Sequence, residues 1–87
     1  MFYRLHGLKF EFMLEIEKQE LLNLGNKLRG LRQNKALSQE RFAELTGLDR
    51  TYISGLERGK RNPSFLIIQR LCKVLEINPN ELFISDK

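Results

Sequence analysis

The clearest chemistry in the chain sits in one polar cluster. Arg50, Thr51, Tyr52 and Ser54 follow Asp49 in a stretch whose apolar positions, Ile53 and Leu56, lie three residues apart. On a helix that spacing turns Ile53 and Leu56 inward and leaves the polar set outside. An arginine guanidinium can donate two hydrogen bonds to O6 and N7 of guanine. A threonine methyl packs on the methyl of thymine, and Thr and Ser hydroxyls reach bases or phosphates. Tyr52 adds a hydroxyl for a phosphate or a ring for a sugar. Ser38 and Gln39 open an earlier helical stretch, whose free amides suit one phosphate strand. Arg58, Lys60, Arg61, Asn62 and Ser64 come after the polar stretch and suit the other phosphate flank. Base readers between two phosphate clamps form the layout that a DNA duplex requires. Taken singly, each Arg or Lys reads as well as a solvated surface charge.

The charge distribution points the same way. The net charge of the 87 residues is +4, unevenly spread. Residues 25–75 hold eleven Lys/Arg against four acids, a net of +7, whereas residues 1–24 stand at −1 and residues 76–87 at −2. A basic centre between faintly acidic ends suits a polyanion. A merely solubilising surface gives the same count. An enzyme lacks its parts here. His6 stands alone in the N-terminal segment, and neither a phosphate-cradling glycine loop nor a metal-ligand spacing occurs. Cys72, the single cysteine, lies in an apolar helical run and reads as a buried, inert thiol. The longest wholly apolar run, Phe65-Leu66-Ile67-Ile68, falls far short of the roughly 18 residues of a membrane span. With no apolar leader at the N-terminus, a cytoplasmic location is expected, without membrane, cofactor or small-molecule ligand.

The elements that must hold these groups are helices. From Glu20, the leucines Leu21, Leu24, Leu28 and Leu31 recur at spacings of three and four, one apolar stripe that should end near Asn34 or Lys35. Ser38 is an N-cap for a second helix, Gln39 to Thr46, with Phe42, Ala43 and Leu45 inward and Gly47 at its end. Asp49 is an N-cap for a third, Arg50 to Arg58, ended by Gly59. Ser64 starts a fourth, with Phe65, Ile68, Leu71, Cys72 and Leu75 inward. Asn78-Pro79-Asn80-Glu81 is a capping-box start for a fifth, and Leu82 and Phe83 close the core. Ala43, Gly47 and Ile53, four and six apart, suit two helices packed at a steep angle. A structural helical hairpin fits that spacing too. Residues 1–19 carry an alternation of Phe10, Phe12, Leu14 and Ile16 with Lys9, Glu11, Met13, Glu15 and Glu17, the period of a half-buried strand. The same residues include good helix formers. An extended, strand-like segment is the expectation, paired with the same segment of a second subunit; an unstructured tail is the alternative.

Three stretches carry a family resemblance: Leu24-Gly25-Asn26-Lys27-Leu28-Arg29-Gly30-Leu31-Arg32, Leu37-Ser38-Gln39-Glu40-Arg41-Phe42-Ala43, and Tyr52-Ile53-Ser54-Gly55-Leu56-Glu57-Arg58-Gly59. Together they resemble the Xre-type, phage-repressor family of helix-turn-helix regulators, from about Leu21 to Phe83. The run Asp49 to Arg58 is similar to the recognition helix of restriction–modification controller proteins. The resemblance implies an all-α, five-helix, lambda-repressor-like domain over residues 20–87, with residues 1–19 as an extension. It implies a sequence-specific transcriptional regulator of double-stranded DNA that acts as a homodimer on a pseudo-palindromic operator. Arg50, Thr51 and Ser54 would read bases. Ser38, Gln39, Tyr52, Arg58, Lys60, Arg61, Asn62 and Ser64 would hold the backbone. Leu66, Ile67, Val74 and Phe83 would pair the subunits, although Leu66, Ile67 and Val74 read equally well as extra core, and Arg32 with Glu57 would form a structural ion pair. An antitoxin of the same fold, with residues 1–19 holding a toxin, and a protein-interaction module are the alternative readings. The chain departs from the family at Glu76, where glycine is usual, and in its N-terminal extension; Met13 offers an alternative start.

Overall fold

The computed structural model describes residues 2–83, with side chains from Lys9 onward. Met1, the His6 side chain and residues 84–87 of the expected domain lie outside the described residues. Four α-helices follow one another: α1 (Phe2–Asn34), α2 (Gln39–Thr46), α3 (Arg50–Glu57) and α4 (Phe65–Leu75). A short 3-10 helix, Pro79–Leu82, stands where a fifth α-helix is expected. Its capping box forms as the sequence predicts: Asn78 accepts from the Asn80 amide, and Glu81 accepts from the Asn78 amide. Only one turn is wound before Phe83, so the tighter i to i+3 bonding prevails.

The N-terminal segment corrects the strand expectation. It is the first half of α1, which runs unbroken for 33 residues. The alternation of Phe10, Phe12, Leu14 and Ile16 contains two i,i+4 pairs, Phe10/Leu14 and Phe12/Ile16, which a helix stacks on separate faces. A strand needs a partner to satisfy its amides, whereas a helix satisfies them internally. Leu, Met, Glu and Lys then tip the choice.

The core lies where the C-terminal half of α1 meets the other helices. Leu28, Phe42, Ala43, Ile53, Leu56 and Ile68 are buried together with Leu71, Cys72, Leu75 and Leu82. Burial pushes the Cys72 thiol up, with the Glu81 charge adding to the effect, so it stays an uncharged core group. Three expected core positions face out instead: Leu45, Phe65 and Phe83 are 45%, 71% and 66% exposed.

Four helix ends share one geometry. The Leu37, Leu48, Lys60 and Ile77 amides reach back to the carbonyls of Arg32, Ala43, Gly55 and Cys72, while the preceding residue is left-handed. This closure satisfies the last carbonyls of each helix. Gly47 and Gly59 fill two of the left-handed positions, as expected. Ala36 and Glu76 fill the others, at φ 57° and 59°. The turn after α4 therefore takes the left-handed geometry that glycine favours, with a glutamate in place. Lys35 bonds the Glu76 carboxylate, holds it below its usual range and ties the two non-glycine turns together.

Two glycines of α1 make opposite demands. A Cβ on Gly25 would lie 2.4 Å from the Leu56 carbonyl oxygen and 2.6 Å from that of Glu57, both backbone atoms at the end of α3. A Cβ on Gly30 meets nothing within 4 Å. Gly30→Ala should raise stability by about 1 kcal/mol, because alanine is the better helix former. Gly25→Ala should cost about 3 kcal/mol or more, because α1 must back away from α3. Urea denaturation of both variants checks this, and a stabilising Gly25→Ala would sink the close-approach account.

Candidate nucleic-acid interface

The buried end of α3 fixes its exposed face. Glu57, in the last turn, is 4% exposed, and Arg32 on α1 is 7% exposed. The Arg32 Nε donates to Glu57 Oε2 at 2.6 Å and its Nη2 to Oε1 at 3.0 Å, a two-pronged bond. The third nitrogen, Nη1, donates to the Leu37 carbonyl at 2.6 Å, in the turn after α1. The Gln39 amide, at the start of α2, donates to Glu57 Oε1 at 3.0 Å. Arg29, half exposed, brings a second guanidinium 3.8 Å from the same oxygen. The expected pair of Arg32 and Glu57 is therefore the centre of a network joining α1, α2 and α3. Arg70 adds a bond from α4 to the Thr46 carbonyl at the end of α2.

That anchoring leaves one edge of α3 open. Arg50, Thr51 and Arg58 are exposed, and Tyr52 and Ser54 are half buried. Arg50, Ser54 and Arg58 lie four apart on one line of the helix. The Arg58 Nε donates to the Ser54 hydroxyl over a long 3.4 Å, a bond that gives way readily to a better partner. Arg61 folds back from the loop along α3. Its guanidinium lies 5.7 Å from the Tyr52 ring centre, in cation–π range. Its stem crosses Gly55 so closely that a Cβ there would sit 3.0 Å from Arg61 Cγ. Gly55 thus serves as the floor on which Arg61 rests.

The remaining predicted residues divide. Gln39 stands at the α2 start beside Glu57, its amide bonded inward. Ser38 and Ser64 accept from the Arg41 and Ile67 amides, so each hydroxyl caps its helix and keeps only its proton to donate. Asp49 occupies the N-cap position of α3 but makes no side-chain capping bond, contrary to expectation. Lys60 and Asn62 are exposed in the loop after α3. Of the four residues expected to pair subunits, Leu66 and Phe83 are 71% and 66% exposed, while Ile67 and Val74 are half buried against the core. Sequence reasoning missed the packing role of Gly25, the Gln39–Glu57 bond and the Arg61–Tyr52 contact. A glycine inside a helical stripe was the one signal at hand. Among the described residues no group of His, Cys, Asp or Glu could hold a metal, and no helix is long and apolar enough to cross a membrane.

The geometry has close counterparts. The helix-turn-helix family HTH_3 matches residues 28–82. The control protein C.MunI of a Mycoplasma species is 48% identical over 63 residues, covering 71% of this chain and 85% of that protein. The crystal structure of the restriction–modification controller protein C.AhdI from Aeromonas hydrophila is 51% identical with a TM-score of 0.73, covering 75% of this chain and 98% of that one. The controller protein C.Esp1396I, solved as a tetramer on its natural 35 base-pair operator, is 34% identical with a TM-score of 0.67, covering 74% of this chain and 84% of that one.

Glu57→Gln leaves the Arg32 guanidinium buried and unneutralised, and should cost about 3–5 kcal/mol in urea denaturation at neutral pH. Arg32→Met should also destabilise but cost less, because Arg29 still lies 3.8 Å from the Glu57 carboxylate. Replacing both by apolar residues of similar volume should recover much of the loss. Singles that unfold like the parent would overturn the network's structural role.

Proposed function

The chain belongs to the HTH_3 helix-turn-helix family, and we propose that it is a sequence-specific transcriptional regulator of the restriction–modification controller type. It binds double-stranded operator DNA as a homodimer, by contact and not by catalysis, in the cytoplasm where that DNA lies. Residues 20–87 form the binding domain and residues 1–19 an extension. The observation that carries this reading is the exposed edge of α3, held out by a buried ion pair at its far end. Its likeness to C.AhdI and to the operator-bound C.Esp1396I supports the same reading.

In this assignment Arg50, Thr51 and Ser54 face base edges in the major groove. Arg58, Lys60, Arg61, Asn62 and Tyr52 take the phosphates along one side. The start of α2, with Ser38 and Gln39, takes the other strand, and Ser64 donates from the start of α4. Arg61 reaches the DNA already stacked on Tyr52, so less side-chain freedom is lost on binding. Leu66 and Phe83, with the half-buried Ile67 and Val74, form the apolar face through which two subunits pair. A two-fold pair presents its α3 helices about 34 Å apart, one turn of the duplex.

The test is selection of binding sites from random duplexes, followed by titration of the selected site. A pseudo-palindromic site bound with a steep loss of affinity between about 50 and 200 mM salt is the expected result. Absence of any selected site overturns the proposal. Arg50→Ala should cost roughly 1–3 kcal/mol on the selected site and relax preference at one base pair of each half-site. An unchanged base preference would remove Arg50 from the reading set. Lys60→Ala, by contrast, should weaken all duplexes about equally and flatten the salt slope by about one unit per subunit. A loss confined to one sequence would count against a phosphate contact.

A further inference from the structure

The apolar seam of α1 does not stop where the domain does. Leu24, Leu28 and Leu31 pack into the core from this helix. Counting back by alternate threes and fours, the same line continues through Leu21, Glu17, Leu14 and Phe10. A three-four alternation sustained over three heptads is the pattern of a coiled-coil seam. Among the described residues nothing covers its N-terminal part: Phe10 is 59% and Leu14 is 42% exposed. Two surface depressions run along this face and meet at Leu21. One lies over Leu14, Glu17 and Lys18. The other is walled by Leu24, Phe65, Leu82 and Phe83. Leu14 and Leu21, flanked by Glu11, Glu15, Glu17 and Lys18, suit a second helix of complementary charge laid along this face.

We propose that residues 10–21 of α1 pair antiparallel with the same residues of a second copy of this chain. The charges choose both the occupant and its direction. Setting Phe10 opposite Leu21 of the second copy places Leu14 opposite Glu17. It also brings Glu11 beside Lys18 on the flank, twice by symmetry. A parallel pair would instead set Glu17 against Glu17 in the seam, like charge on like. Glu17 thus acts as the single polar seam residue that specifies direction at a cost in strength. The contact is only about three turns long, so the association is weak and depends on concentration. It lies apart from Leu66, Ile67 and Val74 on α4, meets that face only at Phe83, and requires no DNA.

Sedimentation velocity on the full-length chain without DNA, across a wide concentration range, tests the proposal. Leu14 lies outside the core, so Leu14→Glu should keep the parent's circular dichroism and unfolding midpoint while reducing association at least tenfold. Glu11→Lys or Lys18→Glu alone should weaken it roughly fivefold, and the two together should restore it. Glu17→Leu should tighten it. Leu66→Glu separates the two faces: with α1 intact that variant still pairs at high concentration, and with Leu14→Glu added it is a monomer. A parent chain whose size is untouched by Leu14→Glu at every concentration overturns the proposal. So does a double charge reversal that fails to restore what each single reversal removes. A Leu66→Glu chain that behaves as the parent counts only against the α4 face.

Discussion

The arrangement of this protein depends on one carboxylate placed where water cannot reach it. Glu57 ends the helix that carries the polar edge, and the Arg32 guanidinium grips it with two hydrogen bonds. Out of water, an ion pair of this kind has no intermediate state. The Arg32 charge is tolerable only with Glu57 in place, and a displacement of α3 would pull the carboxylate away from both Arg32 and Arg29. The third Arg32 nitrogen and the Gln39 amide extend the constraint to the turn after α1 and to the start of α2. Gly25 makes the geometry attainable, since only a residue without a Cβ lets α1 come this close to the α3 carbonyls.

The rest of the fold follows from how short its helices are. α2 and α3 have eight residues each, fewer than an isolated helix needs to persist in water. They exist because their ends are closed and their inner faces are buried. Four helix ends use the same left-handed closure, two of them without glycine. Backbone cost is thus accepted at Ala36 and Glu76, where a lysine–glutamate bond joins the two turns.

Rigidity at the buried end and looseness at the exposed edge fit together. The contacts made by Ser54, Arg58, Arg61 and Tyr52 are a long hydrogen bond and a ring contact, both easily exchanged for a ligand's groups. The scaffold therefore fixes where these side chains begin, while their ends stay free to be satisfied by a partner.

Much of this was legible in the residues. The ends of α2, α3 and α4 fall at Ser38, Gly47, Gly59 and Ser64 because capping is a local transaction between a side chain or a left-handed residue and the nearest amides. The polar edge of α3 was equally legible, since helical spacing alone separates Ile53 and Leu56 from Arg50, Thr51 and Ser54. Residues 1–19 were not, because their alternation satisfies a strand and two i,i+4 helix pairs alike, and only the continuation into α1 decides between them. The exposure of Leu45 and Phe65 is not legible in the same way, because an apolar residue beside the stripe fits either side of it. Which side is buried depends on the neighbouring helices and not on the helix itself. The sharing of Glu57 by Arg32, Gln39 and Arg29 lies beyond any reading of spacing. Glu57 lies 18 or more residues from each of the three, and only the packing of three helices brings its carboxylate within reach of two guanidiniums and an amide.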